Sequence, residues 1–139
     1  MAEFKVNIVT PAGIIYTHRA SEVIARATDG DIGILPDHSP IIVPLTINAV
    51  RVSRVSREQE DWIAVNGGIM EVRDNVCSII ADSAERARDI DIERAFEEKH
   101  RAEEKIKQLD AIKQNKEARL AEISLHKAIN RITVHKHHY

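Results

Sequence analysis

At 139 residues the chain has room for one domain with an appendage and not for a multidomain enzyme. Hydrophobic residues make up 43% and charged residues 30%, with aromatics at only 4%, a composition that predicts a soluble fold around an aliphatic core. The formal charge of -2 lacks the basic excess of nucleic-acid binders, and the single cysteine, Cys77, closes no intrachain disulfide.

All five glycines and all four prolines fall within the first 68 residues. Both residue types punctuate turns and are disfavoured inside helices, so a turn-rich front half and a helical back half are expected. Phe4, Val6 and Ile8 alternate with polar neighbours, as do Val23, Ala25 and Ala27, and Val50 with Val52. Trp62-Ile63-Ala64-Val65 and Val76-Cys77-Ser78-Ile79-Ile80 add short β-type runs. Turns are predicted at Pro11-Ala12-Gly13, Asp29-Gly30-Asp31, Pro36-Asp37, Asn66-Gly67-Gly68 and Asp74-Asn75. Short strands at this spacing point to an antiparallel sandwich or flattened barrel over residues 1–84.

Beyond Ala84 the period lengthens. Ile92, Ala95, Ala102, Ile106 and Leu109 form one helical stripe, and Ala118, Ala121, Leu125, Ala128 and Ile132 form another. Asp91 is the expected N-cap of the first helix. The break between helices is expected from Leu109 to Asn115, where Asp110 and Asn115 favour a turn. Charge divides unevenly: residues 1–86 carry 8 basic and 12 acidic side chains, and residues 87–139 carry 12 and 10. No apolar run approaches the roughly 20 residues that cross a bilayer, and the opening residues do not lead into a signal peptide.

Sequence signatures of phosphate-binding loops, zinc proteases, serine hydrolases and dinucleotide folds are all missing. Cys77 lies in an apolar strand, as a small core residue does. The terminal histidines lack the acidic or cysteine companions of a built metal site, and Asp29-Gly30-Asp31 lacks the spaced ligands of a calcium loop. One cationic constellation stands out. Asp91, Arg94 and Arg101 share a face of the first helix, and Lys127 and Arg131 share a face of the second. If the helices fold back on each other, cations from both converge on a phosphate chain. The same spacing also fits a plain Glu97–Arg101 pair and cations at a helix C-terminus.

The segments Gly33-Ile34-Leu35-Pro36-Asp37-His38-Ser39-Pro40-Ile41 and Asn66-Gly67-Gly68-Ile69-Met70-Glu71-Val72 stand between Val9-Thr10-Pro11-Ala12-Gly13 and the pair Ala84-Glu85-Arg86-Ala87 and Ala128-Ile129-Asn130-Arg131. With these in order, essentially the whole chain resembles the epsilon subunit of the bacterial rotary F-type ATP synthase. The resemblance implies a ten-stranded antiparallel β-sandwich over residues 1–84, in contact with the gamma subunit and the membrane c-subunit ring. A regulatory two-helix hairpin then occupies residues 85–139. It implies a non-catalytic central-stalk rotor subunit that couples proton transport to ATP synthesis. Such a subunit is peripheral on the cytoplasmic face of the bacterial plasma membrane and monomeric when isolated, with no metal and no required cofactor. Its helices rise beside gamma to the alpha and beta subunits of the catalytic head and inhibit ATP hydrolysis.

Asp31 aligns with an acidic position that faces the ring, and Asp37 stands where the family usually has glycine. Lys113, Lys116 and Arg119 form the expected inhibitory basic face on the second helix. A subset of the family binds regulatory ATP, with or without magnesium, through Ile/Leu-Asp-x-x-Arg-Ala, which Ile90-Asp91-Ile92-Glu93-Arg94-Ala95 matches. Carried over by position, Glu85, Ile90, Asp91, Arg94 and Ala95 hold the nucleoside end, and Arg101 and Arg131 contact phosphates. Lys127 stands where arginine is expected and keeps the charge without the bidentate fork. A free-standing adaptor with a coiled-coil arm is the alternative, and it predicts a homodimer through the helices.

Overall fold

The structure is a computed structural model and describes residues 2–56, 58–109 and 116–138. Its strands are β1 (Phe4–Thr10), β2 (Gly13–Ala27), β3 (Gly30–Ile34), β4 (Ile41–Arg54), β5 (Glu60–Arg73), β6 (Val76–Ala81) and β7 (Ala84–Arg86). A 3-10 turn over Ala87–Asp89 leads into α1 (Ile92–Leu109) and then α2 (Lys116–His135). The predicted break between the helices falls mostly on residues 110–115, outside the described residues.

The strands form one sheet in the order β1-β6-β5-β4-β2-β3, with β7 on β5. Because β1 also pairs with β2, the sheet closes on itself as a flattened barrel. Two expectations need correction. Seven strands occur among the described residues, not ten, since β2, β4 and β5 run 15, 14 and 14 residues. Each spans both layers without interruption, whereas a sandwich counted by layer would divide it. The sheet is also not wholly antiparallel, because β1 and β6 pair in parallel from Lys5↔Val76 to Val9↔Ile80.

Alternation decides what enters the core. Phe4, Val6 and Ile8 of β1 meet Cys77 and Ile79 of β6 and Met70 and Val72 of β5 in one aliphatic cluster. On β5 the buried core positions are Ile63 and Val65 before Gly67-Gly68, and Met70 and Val72 after it. The inward face therefore changes parity at the two glycines, whose φ values are 83° and 148°. Asn66-Gly67-Gly68, expected as a turn, is instead the bend of a continuous strand. The turn at Asp74-Asn75 forms as predicted, with left-handed φ values of 52° and 61°. Asp37 also takes the left-handed conformation its glycine-like position requires, at φ 62°. Its N–H donates to Asn75 Oδ1 at 2.8 Å, joining two loops.

The run Trp62 to Val65 is continuous rather than alternating because β5 is covered on both sides. Ile63 and Val65 face the barrel core, while Ala64 packs with Ala87, Ile90 and Val134 in a second cluster. That cluster seats the end of α2 on the outside of the barrel. Buried Asn130 reinforces it, donating from Nδ2 to the Val65 carbonyl at 3.4 Å.

Candidate functional site in the helical hairpin

Helix α1 begins as the sequence predicts. Asp91 Oδ1 accepts from the Arg94 N–H at 3.1 Å, and the Asp91 carbonyl accepts from the Ala95 N–H at 3.0 Å. The seam between α1 and α2 is built from the predicted alanines: Ala95, Ala102, Ala121 and Ala128 are buried, together with Ile132. Such small side chains bring the helices close but bury little, since each methylene contributes about 0.8 kcal/mol.

Two polar arrangements span this seam. Near the start of α1, Arg131 of α2 lies between two carboxylates, 2.7 Å from Glu85 of β7 and 2.8 Å from Glu98 of α1. Glu98 also holds Arg94 at 3.0 Å. Glu85, Arg131, Glu98 and Arg94 thus form one chain across β7, α2 and α1. Sequence reading missed Glu98, because one glutamate on a charged helix looks like any other. The expected Glu97–Arg101 pair does not occur among the described residues, where the i,i+4 bridge on this helix is Arg94–Glu98.

Further along, a groove of about 420 Å³ lies between the helices. Ala102 and Ala121 contribute to its lining, with Arg101, Lys105 and Glu98 from α1 and Glu117, Ser124 and Lys127 from α2. Among the described residues the side chains of Arg101, Lys105 and Lys127 have no ion-pair or hydrogen-bond partner. Glu98 is already shared by two arginines and Glu117 is one carboxylate beside three cations, so the groove carries a net positive charge contributed by both helices.

The predicted residues therefore divide into groups. Arg101 and Lys127 come together in the groove. Glu85, Arg94 and Arg131 belong to the adjoining ion-pair chain. Asp91 caps α1, Ala95 is in the seam, and Ile90 is buried against Ala64, Ala87 and Val134. Lys116 and Arg119 are exposed on the first turn of α2, and Lys113 lies outside the described residues. Asp31 is exposed on β3 and pairs with Arg26 at 3.2 Å. Cys77 is fully buried, and desolvation pushes its thiol up to about 12, which suits a core side chain and not a nucleophile.

The barrel carries a further exposed feature that sequence reading did not single out. Ile14, Val9, Ile80, Ile69 and Pro44 are successive cross-strand partners over β2, β1, β6, β5 and β4. Ile14, Ile80 and Ile69 are 72%, 66% and 51% exposed. Alternation places these side chains opposite to buried Ile8, Ile79 and Met70, so the row is an apolar belt on the outer surface.

A closed, flattened β-barrel with a two-helix arm folded against its side defines a barrel-and-arm protein. The beta-sandwich domain of the ATP synthase delta/epsilon chain matches residues 3–87, and the long alpha-helix domain of the same chain matches residues 88–136. The chain belongs to the ATP synthase delta/epsilon chain family. Its fold is similar to that of a chain in the Euglena gracilis mitochondrial ATP synthase, solved by cryo-EM as OSCP, F1 and c-ring. That match has a TM-score of 0.77 at 19% identity, over 94% of this chain and 79% of the other. A chain from the central stalk and c-ring of the Tetrahymena thermophila mitochondrial ATP synthase is similar with a TM-score of 0.59 at 13% identity, over 95% and 92%.

Proposed function

We propose that the chain is a non-catalytic rotor subunit in the central stalk of an F-type ATP synthase, coupling proton transport to ATP synthesis. The observation that carries this reading is the match of both family domains, in order, over residues 3–87 and 88–136. The apolar belt from Ile14 to Pro44 supports docking of the barrel on the gamma subunit, since an exposed row of isoleucines is stable in water only at a cost that a partner relieves. Asp31, exposed beside Arg26, is the proposed contact to the membrane c-subunit ring. No described helix is long and apolar enough to cross a membrane. Peripheral attachment through these partners, on the cytoplasmic face of the bacterial plasma membrane, is part of the proposal.

The arm is proposed to restrain ATP hydrolysis by rising toward the alpha and beta subunits of the catalytic head. ATP, with or without magnesium, is its proposed regulatory ligand in the folded hairpin. The unpaired Arg101 and Lys127 support this, because they approach each other only when α1 and α2 lie side by side. Arg131 would reach a phosphate only by exchanging Glu85 or Glu98 for it. The reading is tested by reconstitution with gamma and the remaining subunits. The intact chain should copurify with gamma and support proton-coupled synthesis, and Ile80→Asp should prevent copurification. A chain that forms a stable homodimer and ignores gamma would refute it.

A further inference from the structure

A second cavity, of about 270 Å³, opens where the end of α2 meets the barrel. Six basic or protonatable side chains line it: His18 from β2, Arg54 from β4, Arg86 from β7, Arg88 from the 3-10 turn, and His137 and His138 beyond α2. Among the described residues one carboxylate, Asp61, shares the lining, and it is already engaged. Asp61 accepts from Tyr16 Oη at 2.6 Å and pairs with Arg54 at 2.8 Å. Arg86 is held by Asp89 at 2.9 Å.

Among the remaining groups His138 turns Nδ1 to the His135 carbonyl oxygen and keeps Nε2, and two others, Arg88 and His137, are under-used. Arg88 is exposed, and its side chain has no partner among the described residues. His137 stacks on Trp62, with ring centroids 3.6 Å apart and planes 5° from parallel. Stacking engages the ring face, whereas imidazole hydrogen bonds run in the ring plane and stay open. Guanidinium groups from the barrel side and imidazoles from the tail therefore converge on a space whose described lining holds a single carboxylate. A tetrahedral oxyanion fits this deficit, because it accepts several N–H bonds at once and matches the guanidinium fork.

We propose that this cavity binds a phosphate-class oxyanion, which ties the end of α2 to the barrel through Arg88 and the tail histidines. The anion meets donors on both sides only while the arm is seated, so its binding favours that pose. The inference does not depend on nucleotide in the hairpin, since the two cavities share no lining residue.

Trp62 is the only tryptophan and lines the cavity, which makes it a built-in reporter. Titrating the full chain with inorganic phosphate at constant ionic strength should give a saturable change in Trp62 emission and a saturable heat. Arg88→Ala should weaken the apparent affinity at least about tenfold, as loss of a charge-assisted hydrogen bond does. Arg88→Lys should restore part of it, and Arg101→Ala, which alters only the interhelical groove, should leave it unchanged. Adding ATP to the Arg101→Ala chain separates two sources of the same chemistry. Competition with phosphate assigns the cavity to a nucleotide's phosphates, and no competition assigns it to the free ion. The proposal fails if neither readout saturates up to tens of millimolar phosphate, or if an Arg88→Ala, His138→Ala double variant binds like wild type.

Discussion

Arg131 of α2 and Glu98 of α1 are joined Nη1 to Oε2 at 2.8 Å, in a site where the Arg131 side chain is only 12% exposed. Glu85 approaches the same guanidinium from β7 at 2.7 Å, so one side chain connects the barrel edge to both helices. Arg131→Ala would leave two partly buried carboxylates facing each other. A loss of about 1–3 kcal/mol is expected, below that of a fully buried pair because each glutamate is about one-third exposed. Arg131→Lys should recover only part, since an ammonium cannot fork between two carboxylates. Denaturant unfolding of the three chains checks the order.

The bend in β5 gives a sharper contrast. A Cβ at Gly68 would lie 2.3 Å from the Ile80 carbonyl oxygen, and φ there is 148°. Backbone on a paired strand cannot move aside cheaply, so Gly68→Ala should cost more than about 3 kcal/mol or prevent folding. Gly13→Ala is the control. Its φ of 123° is also unfavourable, but a Cβ meets nothing within 4 Å, and a loss of about 1–2 kcal/mol is expected. Equal effects on thermal unfolding would show that conformation, not the close approach, decides the position of glycine.

Much of this architecture was legible in the sequence, and the failures have physical causes. The alternation of Phe4, Val6 and Ile8, the Asp91 cap and the alanine seam are local patterns, and each appears where it was expected. The parallel pairing of β1 with β6 joins residues about 70 positions apart and leaves no local trace. Gly67-Gly68 misled because glycine marks both turns and strand bends. The hairpin cations were visible as helix-face spacing. Which of them would be neutralised was not, since that depends on how Glu85 and Glu98 meet Arg131 across the fold. The Trp62–His137 stack likewise exists only once α2 is seated.

The main core cluster draws all its buried residues from positions 4 to 84, so the barrel should stand without its arm. A chain ending at Ala87 is expected to fold and to support proton-coupled synthesis in the reconstituted complex, with hydrolysis raised or unchanged. Its Trp62 emission should shift to the red, because the stacked His137 is removed. Loss of coupling would contradict the division of labour between barrel and arm.

Lys116 and Arg119 are exposed, and together with Lys113, which lies outside the described residues, they are the proposed basic face for an acidic patch on the catalytic head. Reversing all three to glutamate should relieve inhibition of hydrolysis. Added salt should do the same to the wild type, because exposed charges are screened over about 8 Å at physiological ionic strength. Inhibition that survives the reversal would assign the contact to other residues.

The most direct test of the regulatory role proposed for the arm is calorimetry of the isolated full chain with ATP, with and without magnesium. As one rod, Ile92 to His135 would reach about 66 Å, whereas α1 and α2, of 18 and 20 residues, span about 27 and 30 Å side by side, so the two poses differ greatly in reach. A ligand at about 100 times its dissociation constant stabilises the pose it bridges by about 2.7 kcal/mol, enough to set the balance across an alanine seam. Saturable binding is predicted for the wild type. It should be lost in Asp91→Ala, Arg94→Ala and Arg101→Ala, and preserved or tightened in Lys127→Arg. No saturable heat up to millimolar ATP would contradict the account and leave Ile90 to Ala95 as no more than the start of a helix.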